Sequence, residues 1–247
     1  MSRPEPTGTA DSAGVPWTGR TLTAQPFPGD DGSADPALAA ALAAGEVEQV
    51  AAALVAARVL VPVVAVLGDG PAPVGVHGRP VDKSADMAVA TLVAPDGRRA
   101  LPVFTSSAAL AAWDAAARPV PAEGPRAALS AVHDGCAALV VDPGSPGSVV
   151  LPRPALWALA QGRSWLPPER DPEVADAVRA SVADLEQVAG VRLGAGEGGG
   201  LTVVLAVRTG LDAAALAVVL DAVRAGLAAQ ELLAVRVDAL ALTVVPA

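Results

Sequence analysis

Apolar residues recur along this chain in short blocks whose spacing switches between helical and strand periods. At Asp35-Pro36, an N-cap aspartate followed by proline at the first helical position starts a helix. Leu38 and Leu42 lie four apart on its face, and Gly45 ends it. Glu46 opens a second helix, with Val47, Val50, Ala51 and Leu54 at helical spacing and Glu46 and Glu48 at its electropositive start. Residues 59–67 are a continuous Val-rich run, the pattern of a strand buried on both faces. Pro62 inside it predicts an edge position or a bulge. Residues 68–84 are rich in Gly and Pro and read as a long loop. Residues 87–94 and 99–104 predict a hairpin turning at Pro95-Asp96-Gly97.

A helix follows from Ser106 or Ser107, with Leu110, Trp113 and Ala117 on one face. Val120 marks a short strand, 125–133 a helix closed by Gly135, and 137–141 a strand turned by Asp142-Pro143-Gly144 onto 148–151. A helix over 154–160 ends near Gly162, and 163–172 read as a linker. Val174, Val178, Val182, Leu185 and Val188 mark the stripe of the next helix. Then come a short strand at 191–193, a flexible GAGEGGG turn at 194–200 and a buried strand over 201–208. The helix at 211–227 has Leu216, Val219, Leu220, Val223 and Leu227 on one face and Asp221 and Arg224 pointing away, and 235–245 closes as a strand. Three pieces are expected. Residues 1–34, polar and rich in Pro and Gly, form a disordered tail, in which the apolar exceptions Trp17, Leu22 and Phe27 either stay loose, as such tails usually do, or dock on the body or on a partner. Residues 35–165 form an α/β or α+β domain with a mixed sheet and helices. Residues 166–247 form a smaller α+β domain, whose α-β-β-α-β order suits an antiparallel sheet with helices on one face.

Composition narrows the function classes. Of 247 residues, 52% are hydrophobic and 17% charged, which excludes a wholly disordered chain. A net charge of −9 argues against nucleic acid and against a basic membrane-surface patch. The apolar runs are too short to insert in a membrane. Cys136 is the only cysteine, so no internal disulfide and no Cys-based zinc site is expected, and His77 and His133 are the only imidazoles. No cofactor is implied. The polar start MSRPEPTGTADSAG is unlike a signal peptide, so a cytoplasmic protein is expected. The lack of Tyr, Ile and Asn, with Lys83 the sole lysine, fits a GC-rich codon bias.

Residues 85–113, ADMAVATLVAPDGRRALPVFTSSAALAAW, with LVVDPGS at 139–145, resemble the N-terminal domain of the SseB (enhanced serine sensitivity) family. The marker is Leu101-Pro102-Val103-Phe104-Thr105-Ser106, a strand entering a helix, with Trp113 seven residues later. The Asp82-Lys83-Ser84 lead-in and the Asp142-Pro143 turn also match. The resemblance covers about residues 45–165, and 172–247 resemble the family's C-terminal domain more weakly. It implies an α/β or α+β fold and a cytoplasmic bacterial protein, with a role linked to serine sensitivity or to protein interactions. It transfers no catalytic mechanism.

Each candidate residue has a plain structural counterpart. Thr105 and Ser106 cap a helix; the same N-terminus is the best place for a phosphate or carboxylate, with Arg98 and Arg99 near in sequence. A nucleophilic Ser106 lacks a GxSxG elbow. Lys83, between Asp82 and Asp86, either binds an anion or pins its loop by a salt bridge. His133, Asp134 and Cys136 are too close in sequence to face one another as a triad. Trp113 and Trp157 read as core, and Trp165 in the linker either packs between domains or anchors a partner. No catalytic residue and no metal ligand emerges. The leading expectation is a non-enzymatic binding protein whose partner is another protein. A sensor or enzyme for a small anionic metabolite, built on Lys83, Arg99 and Ser106, is the alternative, and a secretion or envelope-assembly helper is a third.

Overall fold

The computed structural model describes residues 27–67 and 85–247. The chain falls into two units, 1–31 and 32–247. Within the first, the Asp30 amide donates to the Phe27 carbonyl at 3.3 Å. Lys83, Asp82, His77 and the 68–84 loop, and residues 1–26 of the expected tail, lie outside the described residues.

The second unit begins with two helices, α1 (Pro36–Ala44) and α2 (Val47–Leu54). The Asp35 carboxylate accepts from the amides of Ala37 and Leu38, and Gly45, at φ 73°, takes the left-handed stop that a side chain resists. Five strands and two helices follow: β1 (Arg58–Leu67), β2 (Ala85–Val89), β3 (Leu92–Val93), β4 (Arg99–Val103), α3 (Ser107–Trp113), β5 (Arg118–Glu123) and α4 (Gly124–His133). Then come β6 (Ala138–Val141), β7 (Val149–Leu151) and α5 (Arg153–Ala160). One sheet runs β2-β1-β5 and a second β3-β4-β6-β7, the latter mixed because β4 and β6 are parallel. Reciprocal amide bonds of 2.8 Å between Leu60 and Phe104 join the two sheets.

Pro62 sits in a central strand, not at the edge its type predicts. The register explains this. A residue's N–H and C=O point to the same neighbour in an antiparallel ladder. The Pro62 carbonyl accepts from Ala90 N at 3.0 Å, one step beyond the last β1–β2 pair, so its missing donor falls where that ladder ends. Across β1, Pro62 faces Pro119 and Leu60 faces Pro121. Those two prolines therefore turn their missing donors outward, and the free edge of β5 cannot template another strand.

The strand expected over 87–94 divides at Ala90-Thr91: its first half pairs with β1, its second with β4. Only the short hairpin around Pro95-Asp96-Gly97 survives, with Val93 opposite Arg99. Partner choice between sheets is non-local, so periodicity could not reveal the split. Ala117 lies beyond α3 yet is buried beside Phe104 and Leu110.

The remaining chain gives α6 (Pro172–Val182), β8 (Val188–Ala195), β9 (Leu201–Val207), α7 (Ala213–Ala228), α8 (Glu231–Arg236) and β10 (Leu240–Pro246). Leu185 and Val188 fall past the end of α6, and Val235 lies in α8 rather than in the closing strand. The sheet order is β10-β9-β8. It is mixed and not wholly antiparallel as expected: β8 and β9 are antiparallel, but β10 runs parallel to β9. The reason is the crossover through α7 and α8, which carries the chain back to the starting end of β9. The class as a whole is α+β.

Two main cores result. One joins Leu38, Val50, Leu54, Val59, Leu101, Val103, Leu139, Val141, Leu151, Leu156 and Leu159, with Cys136 among them. The other joins Val174, Val178, Leu201, Val203, Leu205, Val219, Val223 and Leu227. Each fully buried Leu or Val contributes about 1.5–3 kcal/mol of transfer free energy. Trp113 packs at 5.2 Å between ring centroids on Phe104, as a core tryptophan should. Trp157, also expected in the core, is 43% exposed. Its neighbours Leu156 and Leu159 turn inward on α5 and leave it on the outer side.

Candidate functional site

The β3-β4-β6-β7 sheet is apolar on both faces. Leu101, Val103, Leu139, Val141, Val149 and Leu151 point into the core under the helices. The alternate residues, Ala100, Ala138, Val140 and Val150, point the other way, because successive side chains on a strand alternate. They floor a groove of about 750 Å³. Its walls are the α1–α2 turn with Glu46 and Glu48, the 165–169 segment with Trp165, the Gly196–Gly200 turn, and Asp238 before β10. Val150 is 53% and Val93 68% exposed. An open apolar floor inside a polar rim is the surface pattern of a contact site.

Part of the charged rim is paired within the chain. The Arg98 guanidinium donates to Asp96 at 2.6 Å and lies 3.6 Å from Asp238. The Arg98 amide and then its guanidinium hold the Asp96 carboxyl below the usual carboxylate range. Arg170 pairs with Glu48. Arg99 donates to the Asp134 carbonyl at 3.0 Å and reaches Thr91 Oγ1 at 3.4 Å. Arg99 and Trp165 thus share the groove, Trp165 half-buried with one side on the first core.

Thr105 and Ser106 lie elsewhere. Arg99 opens β4 and the α3 N-terminus follows its far end, so the length of that five-residue strand, roughly 13 Å at about 3.3 Å per step, lies between them. The structure therefore does not bring Arg99 to the α3 N-terminus. There the chain supplies its own acceptors: Ser106 Oγ accepts from Ala109 N at 3.1 Å, and Ser107 N donates to Gly32 O at 2.9 Å. The Thr105 carbonyl takes Arg58 at 2.9 Å.

Sequence reasoning missed the partner of Thr105. Asp142 is buried, with φ 47°, a conformation Asp tolerates better than most residues. Its Oδ1 accepts the Thr105 amide at 2.8 Å and its Oδ2 the Thr105 hydroxyl at 2.7 Å. The available signal was an acid sitting directly between an apolar strand and a Pro-Gly turn. The pair locks the end of β4 to the end of β6 and sets where α3 begins.

No group of three or more His, Cys, Asp or Glu could hold a metal among the described residues. Burial raises the Cys136 pKa, with the Asp134 charge adding to the effect while Arg99 opposes it, so the thiol is a poor nucleophile. His133 is exposed at the end of α4. No helix of the described residues is long and apolar enough to cross a membrane.

No curated protein and no solved structure matches the chain. Residues 35–158 do match a family, described as the SseB protein N-terminal domain. The match starts ten residues before the resemblance noted above and ends before Trp165. It takes in Arg99, the Thr105–Asp142 lock, the Ser106 cap and the sheet that floors the groove. With just over half of its 247 residues so matched, the chain belongs to the SseB family.

Proposed function

We propose that this SseB-family protein works by contact, in the cytoplasm, seating an apolar segment of a partner protein in the groove beneath Trp165 and beside Arg99. The observation that carries the reading is the floor: Ala100, Ala138, Val140 and Val150 form an open apolar strip, and Arg98, Asp238 and Glu48 of its rim are paired within the chain. Such a strip gains free energy by losing water, and an aromatic wall adds an anchor of the kind that concentrates binding energy. Residues 35–165 act as the SseB N-terminal domain. Residues 166–247 act as a second SseB-like domain that completes the groove with the Gly196–Gly200 turn and Asp238.

Two groove variants test this. Val150→Arg adds charge to the floor, and Ala138→Leu fills it. Partners that co-purify with the tagged wild-type chain are identified by mass spectrometry and compared with those of each variant. A partner lost from both variants while their melting temperatures stay at the wild-type value supports the reading. A partner set unchanged by both contradicts it. The anionic-metabolite alternative predicts that amino or phospho acids raise the melting temperature by mass action. The contact reading predicts no rise.

A further inference from the structure

We propose that this chain pairs with a second copy of itself through β10, making one six-stranded sheet from two three-stranded ones. The proposal stands apart from the groove.

The free edges differ in how they are protected. β5 turns Pro119 and Pro121 outward, β8 carries a register irregularity between Val188 and Gly190 together with Arg192, β7 and β3 have three and two residues, and β2 has five with an aspartate, Asp86, in its sequence. β10 has none of these devices. Its seven residues, LALTVVP, contain no charge, and proline appears only at the last position. A long apolar edge strand of this kind is a template for another strand.

The hydrogen-bonding directions favour a copy of itself. Leu201 N donates to Ala239 O at 2.8 Å and Ala247 N to Val207 O at 2.9 Å, so the odd-numbered residues of β10 face β9. Leu240, Leu242 and Val244 therefore aim their N–H and C=O groups outward, with no partner strand among the described residues. A two-fold axis through Leu242 sets Leu240 opposite Val244 of the second copy and Leu242 opposite itself. Three outward amides on each chain then all find carbonyls. A register centred on Thr243 instead places Pro246, which has no donor, opposite Leu240 and wastes an acceptor. On the helix-facing side, Leu240 and Leu242 also line an open hollow of about 560 Å³ with Leu227, Leu233 and Val237. Pairing extends the second core across the axis into that space. On the other side, Ala241 of one chain falls opposite Thr243 of its mate, and both residues are exposed.

That last pair is the test. Sedimentation equilibrium over a dilution series should give the full-length wild type twice the 24.3 kDa chain mass at the concentrated end. Ala241→Lys/Thr243→Lys sets like charges opposite each other twice and should give the single-chain mass. Ala241→Glu/Thr243→Lys sets Glu opposite Lys twice and should restore the dimer. Far-UV circular dichroism checks that each variant is folded. If the lysine pair unfolds, Ala241→Glu/Thr243→Glu carries the same repulsion. A wild type that is monomeric throughout, a folded like-charge variant that still dimerises, or a Glu/Lys variant that stays monomeric overturns the proposal.

Discussion

Replacing Asp142 by Ala strips two donors of their acceptor at once. The Thr105 amide and hydroxyl, 2.8 and 2.7 Å from the carboxylate, are both on a buried residue. A buried donor left unsatisfied costs about 1–3 kcal/mol. Ala at φ 47° adds about 1 kcal/mol, since the left-handed region penalises a Cβ that Asp offsets by local hydrogen bonding. The expected loss is about 3–7 kcal/mol, a large part of the roughly 5–15 kcal/mol of a typical domain. Thr105→Val removes only the hydroxyl and should cost about 1–2 kcal/mol. Asp142→Asn keeps the shape and one acceptor and should cost a similar amount. Urea unfolding followed by far-UV circular dichroism measures all three. The double variant Asp142→Ala/Thr105→Val should cost less than the sum of its parts, because the two residues share one interaction. An Asp142→Ala protein within about 0.5 kcal/mol of wild type would refute the lock, since surface changes of no consequence fall in that range.

Other consequences can be checked as directly. Gly124 starts α4 against the Leu54 carbonyl, where a Cβ would sit 1.9 Å away; Gly124→Ala should cost about 1–3 kcal/mol in the same unfolding assay, as overpacking does. Arg236 donates to Asp171, a buried acid whose other oxygen caps α6, so Arg236→Ala should lower stability by about 1 kcal/mol and shift the melting curve accordingly. The raised Cys136 pKa means that stability from this group is full below the unfolded thiol value and lost as pH rises through the higher folded one. Labelling by a disulfide reagent at mildly alkaline pH should therefore be slow in the native protein and fast in urea. The lowered Asp96 pKa has the opposite sign: its contribution is present above the ordinary carboxylate range and lost as pH falls through the lowered value. An NMR titration of Asp96 should show a midpoint below that of an unfolded peptide.

What was legible in the sequence was local. Asp35-Pro36 and Ser106 each cap a helix with their own side chains, within three residues of the amides they serve, whereas the Asp212 cap went unread because the helix was expected to begin at 211. Gly45 and Gly135 stop helices at positive φ. The apolar run at 137–141, the Asp142-Pro143-Gly144 turn and the run at 148–151 correctly gave a hairpin, because turn and strands are adjacent. What failed depended on distant partners. Residues 87–94 divide between two sheets, and nothing in their own pattern says so. Pro62 in a central strand becomes intelligible only once its register with Ala90 and Pro119 is known. The parallel course of β10 follows from where the α7–α8 crossover lands. Trp157 faces outward because α5 is apolar around much of its girth and only one side meets the core. The groove draws on many segments far apart in the chain, from the α1–α2 turn to Asp238. Arg99 and Trp165 were singled out individually, but their shared wall was not.

The central claim is that the groove over Val140 and Val150 is where a partner sits. Site-specific photo-crosslinking tests it most directly, with a benzophenone side chain placed in turn at position 150, on the groove floor, and at position 129, exposed on α4 outside the groove. The account predicts a discrete partner adduct from 150 that is absent from 129 and disappears when Trp165→Ala is added. Adducts of equal yield from both positions, or none from 150, would contradict it.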